Sequence, residues 1–200
     1  MISLSEILHT IAQALMIPCL IILLVLMAGA VWQIGDIVVE FIAERRKHKC
    51  DVPQLLRDVH TAGADGLAEL IENSGLLRRQ KKALLELAES RGLPKDTLTA
   101  LAERLLATEE ARNARTTSVT DMIAKLGPMF GLLGTLIPLG PGIVALGQGD
   151  TVTLSESMNV AFDTTIAGVI SAAVASVISH IRKRWYNDDM VSLETLMEAV

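Results

Sequence analysis

The chain has 200 residues, of which half are hydrophobic and only 3% aromatic, and a net charge of −5 at neutral pH. A soluble core of this size normally uses more Phe, Tyr and Trp, which bury a large area per residue. Here Leu, Ile, Val, Ala and Met are concentrated in long uncharged blocks, a pattern typical of membrane-spanning helices. The composition therefore predicts an all-α integral membrane protein and argues against a purely soluble one.

The positive charges are confined to two parts of the chain. All 18 Lys and Arg residues fall within Arg45–Lys125 and Arg182–Arg184. Basic residues beside membrane spans stay on the cytoplasmic side, so we expect an outer N-terminus, three crossings of the plasma (inner) membrane and a cytoplasmic C-terminus. The basic residues of the middle region alternate with acids and have no aromatic stacking set, which argues against a nucleic-acid partner.

Cysteine and histidine spacing predicts neither a disulfide nor a metal site. Cys19 lies in the first apolar block and Cys50 on its basic flank, so the two thiols are expected at different depths. None of the four histidines has a second ligand at metal spacing. The chain also lacks a glycine-rich phosphate loop and a nucleophile elbow. We therefore expect no cofactor and no enzymatic activity.

Hydropathy and charge divide the chain into seven segments. A secretory signal peptide is the alternative for the first span, but it would need a basic start and an apolar run about half as long. The segments are an outer N-terminal segment (1–10), a first span (11–34), a cytoplasmic region (35–125), a second span (126–149), an outer turn (150–157), a third span (158–181) and a cytoplasmic tail (182–200).

The middle region is predicted to be a helical stalk. Its basic start, Arg45–Lys49, is interpreted as a topology anchor, with binding of anionic lipid as the alternative. Short helices are expected from Asp51 to about His60, over Ala64–Asn73 and over Leu76–Arg91. A further helix restarts at about Lys95, and no breaker separates it from the second span. It is therefore expected to enter that span as one long helix.

The second and third spans carry small residues along one face. Small residues at helical spacing let two helices approach closely in lipid. The prolines are expected to kink the second span, and those in its outer half, with the neighbouring glycines, to break it. The predicted packing residues are Gly127, Gly131, Gly134, Gly168 and Ala172, and the predicted kinks are Pro128, Pro138 and Pro141.

Polar side chains inside these spans are the candidates for an ion pathway: Thr135, Asp163, Thr164 and Thr165. A threonine hydroxyl can both donate and accept a hydrogen bond and so relay a proton, or it can bond only its own helix. An intramembrane carboxylate is a functional candidate. Asp163, however, lies about 28 Å before Arg182 along a helix, near the outer edge of the bilayer, so a pore role and an interfacial position both remain open.

The run Gly131-Leu132-Leu133-Gly134-Thr135, followed by a hairpin and by Ala161-x-x-x-Thr165-x-x-Gly168, resembles the MotA/TolQ/ExbB proton-channel family. The resemblance implies several copies, typically five, around a pore that holds a single-span partner of the MotB/TolR/ExbD type with a protonatable aspartate. It also implies that Thr135 and Thr165 line the ion path. The three-span layout resembles TolQ and ExbB more than four-span MotA.

Two features depart from the family pattern. Paired prolines follow Thr135, and Asp163 adds a charge to the third span. In addition, counting from the basic flanks places Thr165 nearer the outside than Thr135.

The hypothesis drawn from the sequence is a subunit of an H⁺ or Na⁺ channel that transduces energy to a partner. The alternative is a non-conducting oligomeric membrane scaffold.

Overall fold

The computed structural model describes residues 4–42 and 52–199, without the side chains of residues 5, 59–65 and 67. The basic cluster Arg45–Lys49 and Cys50 lie outside the described residues. Within the described ranges the chain forms helices and no strand. They are α1 (Leu4–Ala14), α2 (Met16–Glu40), α3 (Val52–Asn73), α4 (Arg78–Glu89), α5 (Lys95–Gly147) and α6 (Thr151–Ala199).

Three helical stretches of the described chain are long and apolar enough to cross a membrane. They are Glu6–Glu40, which joins α1 to α2, Lys95–Gly147 and Thr151–Ala199. The prediction of an all-α membrane protein with three spanning helices is confirmed. The boundary between α1 and α2 falls at Leu15. Pro18 follows one turn later, where its missing N–H leaves the carbonyl of Ala14 without its usual helical partner.

Helix α5 continues through all three of its prolines, Pro128, Pro138 and Pro141. The expectation that the outer half of the second span is broken is therefore wrong. Each proline removes only its own backbone donor, and the hydrogen bonds of the flanking turns hold the helix together, as is common in membrane spans. The predicted kinks at these three positions remain predictions.

The chain divides into two compact units, the first of which contains Met1–Gly35 and Ser118–His180. Its core joins Leu26 and Ala30 of α2 to Ile123 of α5 and Ala175 of α6. A short turn links α5 to α6, and Gly149 at its centre has a φ of 75°, which suits a residue without a side chain.

The start of α6 is capped by the turn itself. The Asp150 carboxylate accepts hydrogen bonds from the backbone N–H groups of Val152 and Thr153, each at 3.1 Å, and from the Thr153 hydroxyl at 2.6 Å. These bonds satisfy donors that a helix start leaves unpaired. Together they lower the pKa of Asp150, with the Thr153 hydroxyl making the largest contribution.

The second unit contains Asp36–Thr117 and Ile181–Val200. Leucines of α4 and α6, among them Leu84 and Leu193, form its core with residues of α3. Helix α3 runs without interruption over Val52–Asn73, so the prediction of two separate helices there is wrong. The segment between His60 and Ala64 holds one glycine and no proline, which is too weak a signal to end a helix.

In this second unit the buried Arg182 forms ion pairs with two carboxylates, of which Asp36 is exposed. Arg182, which is 2% exposed, donates through Nη2 to Asp36 at 2.6 Å and through Nε to Glu40 at 3.1 Å. Burial opposes the charge of Arg182, but the carboxylates outweigh it and raise the Arg182 pKa. The rings of Phe41 and Trp185 stack beside it with centroids 6.0 Å apart. A cavity of about 400 Å³ adjoins this ion pair.

Candidate functional site

The glycines of α5 and α6 bring the two backbones into direct contact. A Cβ atom added to Gly127 would lie 2.7 Å from the carbonyl oxygen of Gly168, and one added to Gly168 would lie 2.5 Å from the oxygen of Gly127. Ala172 packs at the same place, 3.1 Å from the position of that added Gly127 Cβ. Any residue larger than glycine at position 127 or 168 would therefore clash with the backbone of the facing helix.

Contacts further along the pair show that α5 and α6 are antiparallel. Gly131 faces Gly168 and the Thr164 carbonyl, and Gly134 faces the Thr164 side chain. Gly142 faces Ser157. As the chain advances along α5, its contacts therefore move backwards along α6, and Gly134 and Thr164 lie at one level.

This packing places Thr164 between the helices. It is 4% exposed, and a Cβ on Gly134 would lie 2.7 Å from its own Cβ. Its hydroxyl donates to the carbonyl of Ala161 at 2.9 Å. Thr164 thus fills the space that Gly134 leaves, and its hydroxyl is directed to its own helix.

Thr135 and Thr165 lie together on one edge of the α5–α6 pair. Each directly follows a residue of the Gly134–Thr164 contact, and one residue turns a helix by about 100°. In two antiparallel helices that face each other, this rotation carries both following residues to the same side. We call the position of Thr135 and Thr165 the threonine edge.

The threonine edge corrects the expected depths of these residues. Thr165 was expected nearer the outside than Thr135, but the Gly134–Thr164 contact places both at one level. The expectation failed because it treated Lys125 and Arg182 as equivalent flanks. Ser179 pairs with Asp121, so Lys125 lies about one turn or more deeper in the pair than Arg182 does.

Both threonine hydroxyls donate to their own helices. Thr135 donates to the carbonyl of Leu132 at 2.7 Å, and Thr165 donates to the carbonyl of Ala161 at 3.0 Å. Both side chains are half-buried. Since a hydroxyl oxygen has two lone pairs, each can still accept a hydrogen bond from water or from a protonated group.

Helix α2 covers the opposite edge of the pair. It packs against Ile123 and Ala175, with Phe130 and Val174 beside them, and the thiol of Cys19 donates to the Phe130 carbonyl at 3.4 Å. Phe130 precedes the facing residue Gly131 in the chain, so it turns away from the threonine edge. In the described part of the first unit, these contacts of α2 include neither Thr135 nor Thr165.

Asp163 does not join the two threonines. It precedes Thr164, so the helical rotation carries it to the side of α6 away from Thr165. Its side chain is exposed in the chain. The described residues also bring together no group of three or more His, Cys, Asp or Glu side chains that could hold a metal ion.

One polar contact between the spans was missed by the sequence analysis. The Ser179 hydroxyl of α6 donates to the Asp121 carboxylate of α5. The sequence places Asp121 in the predicted cytoplasmic region (35–125), because Lys125 marks the predicted start of the second span. Its spacing of fourteen residues from Thr135, close to four helical turns, was the signal that could have revealed it.

Comparison with known families gives one result. The model of the MotA/TolQ/ExbB proton channel family matches residues 69–195, which is more than half of the chain. This match includes α4, all of α5 and nearly all of α6, and therefore both threonines and the glycine contact. No curated protein matched the chain.

Proposed function

The chain belongs to the MotA/TolQ/ExbB proton channel family, and from this we propose that it is the channel subunit of an energy-transducing membrane complex. In this complex the passage of H⁺ or Na⁺ drives movement of a single-span partner of the MotB/TolR/ExbD type. The subunit forms a ring of copies, five by family resemblance, around the partner's membrane helices. The protein performs no covalent chemistry.

The threonine edge is the observation that carries the proposal. It offers two hydroxyl oxygens at one level of the spans, on the side of the α5–α6 pair that α2 leaves uncovered. Polar atoms on such a side are costly against lipid tails and suited to a water-containing pore or to a polar group of another chain. We place this edge toward the pore and α2 toward the lipid.

The proposed mechanism couples protonation of the partner to contacts with the threonines. A protonated partner carboxyl can donate a hydrogen bond to the oxygen of Thr135 or Thr165, whereas the ionised form cannot donate. The two states therefore prefer different positions in the ring. Each charge that crosses a 100 mV potential releases about 2.3 kcal/mol, so a few ions supply enough free energy to move the partner between such positions.

The orientation follows from the basic residues. The end of the spans next to Lys125 and Arg182, here called the basic end, faces the cytoplasm. The turn between α5 and α6 contains Asp150 and no Lys or Arg, so it faces outward. Ions driven inward would thus pass the threonine edge before they reach the basic end.

Proton flux into liposomes tests the proposal. Wild-type protein is reconstituted with a candidate single-span partner and compared with Thr165→Val, a change that removes the hydroxyl and keeps the shape. We expect flux that requires the partner and is lost in Thr165→Val. The control is Ser171→Ala. Ser171 is 1% exposed, and its hydroxyl donates to the carbonyl of Ala167 in the same helix.

The scaffold alternative predicts a different result. If wild-type protein with its partner bound and its oligomer intact carries no proton or Na⁺ flux, the channel proposal is wrong. Thr135 and Thr165 would then act only in packing, and Thr165→Val would leave assembly unchanged.

A further inference from the structure

Thr120 is a fully buried threonine whose hydroxyl is unpaired within the part of the chain that the structure describes. Its exposure is 0%, and its Oγ1 has no hydrogen-bond partner among the described residues. Other helical threonines of the chain avoid this state by donating to a carbonyl of the preceding turn, as Thr108, Thr117 and Thr195 do. In the described chain the hydroxyl of Thr120 makes no such bond to a carbonyl of its own helix.

Gln33 of α2 has the same property. It is 6% exposed, and its Oε1 has no hydrogen-bond partner in the described chain. An unpaired buried acceptor costs about 1–3 kcal/mol, and buried polar groups in proteins are rarely left in this state. Two such atoms in one compact unit indicate a ligand that can donate to one and bond the other.

Helix packing places these side chains at one level. Ala30, Ile123 and Ala175 meet in the core of the first unit. Gln33 lies one turn beyond Ala30, and Thr120 lies one turn before Ile123. Because α5 runs opposite to α2 and α6, both steps lead toward the basic end. On α6, Ser179 lies about one turn beyond Ala175 in the same direction, and its hydroxyl donates to Asp121.

The result is a polar layer of four side chains directly below an apolar layer. We define the polar layer as Gln33, Thr120, Asp121 and Ser179. It joins α2, α5 and α6, and all four residues belong to the first unit. A buried water typically makes about three hydrogen bonds to polar groups that lack other partners, and Gln33 and Thr120 offer such groups.

One residue of the polar layer, Asp121, is also aligned with the threonine edge. Asp121 lies fourteen residues before Thr135 on α5, which is about four turns and about 21 Å. The two side chains therefore share one edge of the helix. Asp121 is the carboxylate of this layer, and it lies about four turns from Thr135 toward the basic end.

We propose that the polar layer binds water between the three spans of a single chain, and that Asp121 receives the transported proton there before its release at the basic end. The part concerning the proton rests on the proposed function. A hydrated proton would protonate an Asp121 oxygen to give the neutral acid, and release to water at the basic end would restore the carboxylate. The Ser179 hydroxyl positions that carboxylate.

Thermal unfolding of the reconstituted protein tests the water site without any measure of transport. The variants are Thr120→Val, Gln33→Leu and the double variant. We expect each single change to lower the unfolding midpoint by about 2–4 °C, since each removes one bond to the water. Because both bonds belong to one water, the unfolding midpoint of the double variant should be no lower than that of the more affected single variant.

Thr117→Val is the matched control for this experiment. Thr117 is buried, but its hydroxyl bonds the carbonyls of Asn113 and Ala114. The fall in unfolding midpoint caused by Thr117→Val should therefore add to the fall caused by Gln33→Leu when the two changes are combined. A rise of the midpoint in Thr120→Val or Gln33→Leu would show a dry layer and overturn the water site. If the falls in unfolding midpoint caused by Thr120→Val and Gln33→Leu add up in the double variant, the two side chains do not bind the same water.

Proton flux tests the role of Asp121. We expect Asp121→Asn, which still accepts a bond from Ser179, to reduce partner-dependent flux at least about tenfold. Glu110→Gln, an exposed carboxyl earlier on α5, should retain it. Full flux in Asp121→Asn would overturn the release role while the channel proposal stands. Absent flux in the wild type would reject both, and unfolding would still decide the water site.

Discussion

At the scale of single residues, Tyr186, which follows the predicted third span (158–181), has a raised pKa. Burial, followed by the charge of Glu40 and a hydrogen bond to it, raises its pKa to about 12 from an ordinary value of 10.0. The neutral phenol is thus favoured in the folded protein. The stability that the neutral side chain of Tyr186 contributes is fully present below about pH 10 and is lost as the pH rises toward about 12.

This pKa can be measured directly because Tyr186 is the only tyrosine of the chain. In an ultraviolet absorbance titration of tyrosinate, the wild type should titrate near pH 12. Glu40→Gln should lower that midpoint toward 10.0, although burial keeps it above this value. Glu89→Gln, which changes an exposed carboxyl, should leave it in place. An unchanged midpoint in Glu40→Gln would contradict the assigned cause.

A second prediction at this scale concerns Asp163. The sequence suggested an ion-pathway role for it, but the helical rotation turns its side chain away from Thr165. Asp163→Asn should therefore retain most of the proton flux of the wild type, while Thr165→Val loses it. Flux measured on the two variants in parallel liposomes checks this. A comparable loss in both would return Asp163 to the ion path.

At the scale of elements, the contact of α5 with α6 depends on the absence of side chains. Gly127→Ala would place a methyl group 2.7 Å from the Gly168 oxygen, and the helices must separate to admit it. Overpacking of this kind costs about 1–3 kcal/mol. The free energy of unfolding, measured in detergent or in lipid, should fall by this amount.

Gly140→Ala is the control for that prediction. Gly140 lies on the same helix, and no atom of the described neighbouring residues lies within 4 Å of a Cβ added there. Alanine in a helix interior is more favourable than glycine by about 0.5–1 kcal/mol, so this variant should be neutral or more stable. Equal destabilisation by both changes would show that the close approach at Gly127 does not limit packing.

Elements with long patterns could be predicted from the sequence, whereas details set by tertiary contacts could not. The three spans, the helix restart at Lys95 and its continuation into the second span follow from uninterrupted hydropathy and from the stop signal Gly92–Pro94. The break expected near Pro138 and the gap expected before Ala64 did not occur. A proline or a glycine weakens a helix, but neighbouring turns and packing decide whether it ends.

The candidate site shows the same division. Residue types, spacings and the family resemblance predict Thr135, Thr165 and the glycines from the sequence. The contact of Gly127 with Gly168 is observed, and the ion-path role of the threonines stays a prediction. Their relative depth and the orientation of Asp163 depend on which residues of α5 and α6 face each other, and the charged flanks gave a wrong register. The polar layer was missed because Gln33 and Thr120 become unusual only through burial, which a single sequence does not reveal.

At the scale of the whole molecule, the distribution of charge predicts the orientation in the membrane. Single cysteines placed in a Cys19→Ala, Cys50→Ser background should react with a membrane-impermeant reagent on opposite sides. Gly149→Cys, in the turn between α5 and α6, should be labelled from outside. Glu89→Cys, in α4, should be labelled only after the membrane is opened. The reverse pattern would invert the topology.

The short turn between α5 and α6 has a consequence for how the protein enters its membrane. Only residues 148–150 separate the two helices, which leaves no length for one to be stored outside the bilayer while the other waits. Alone, α5 would present its bare glycine backbone to lipid, and α6 would present Thr164 and Ser171. We therefore expect the second and third spans to enter the membrane together as a hairpin, after the first span, which precedes them in the chain by more than fifty residues.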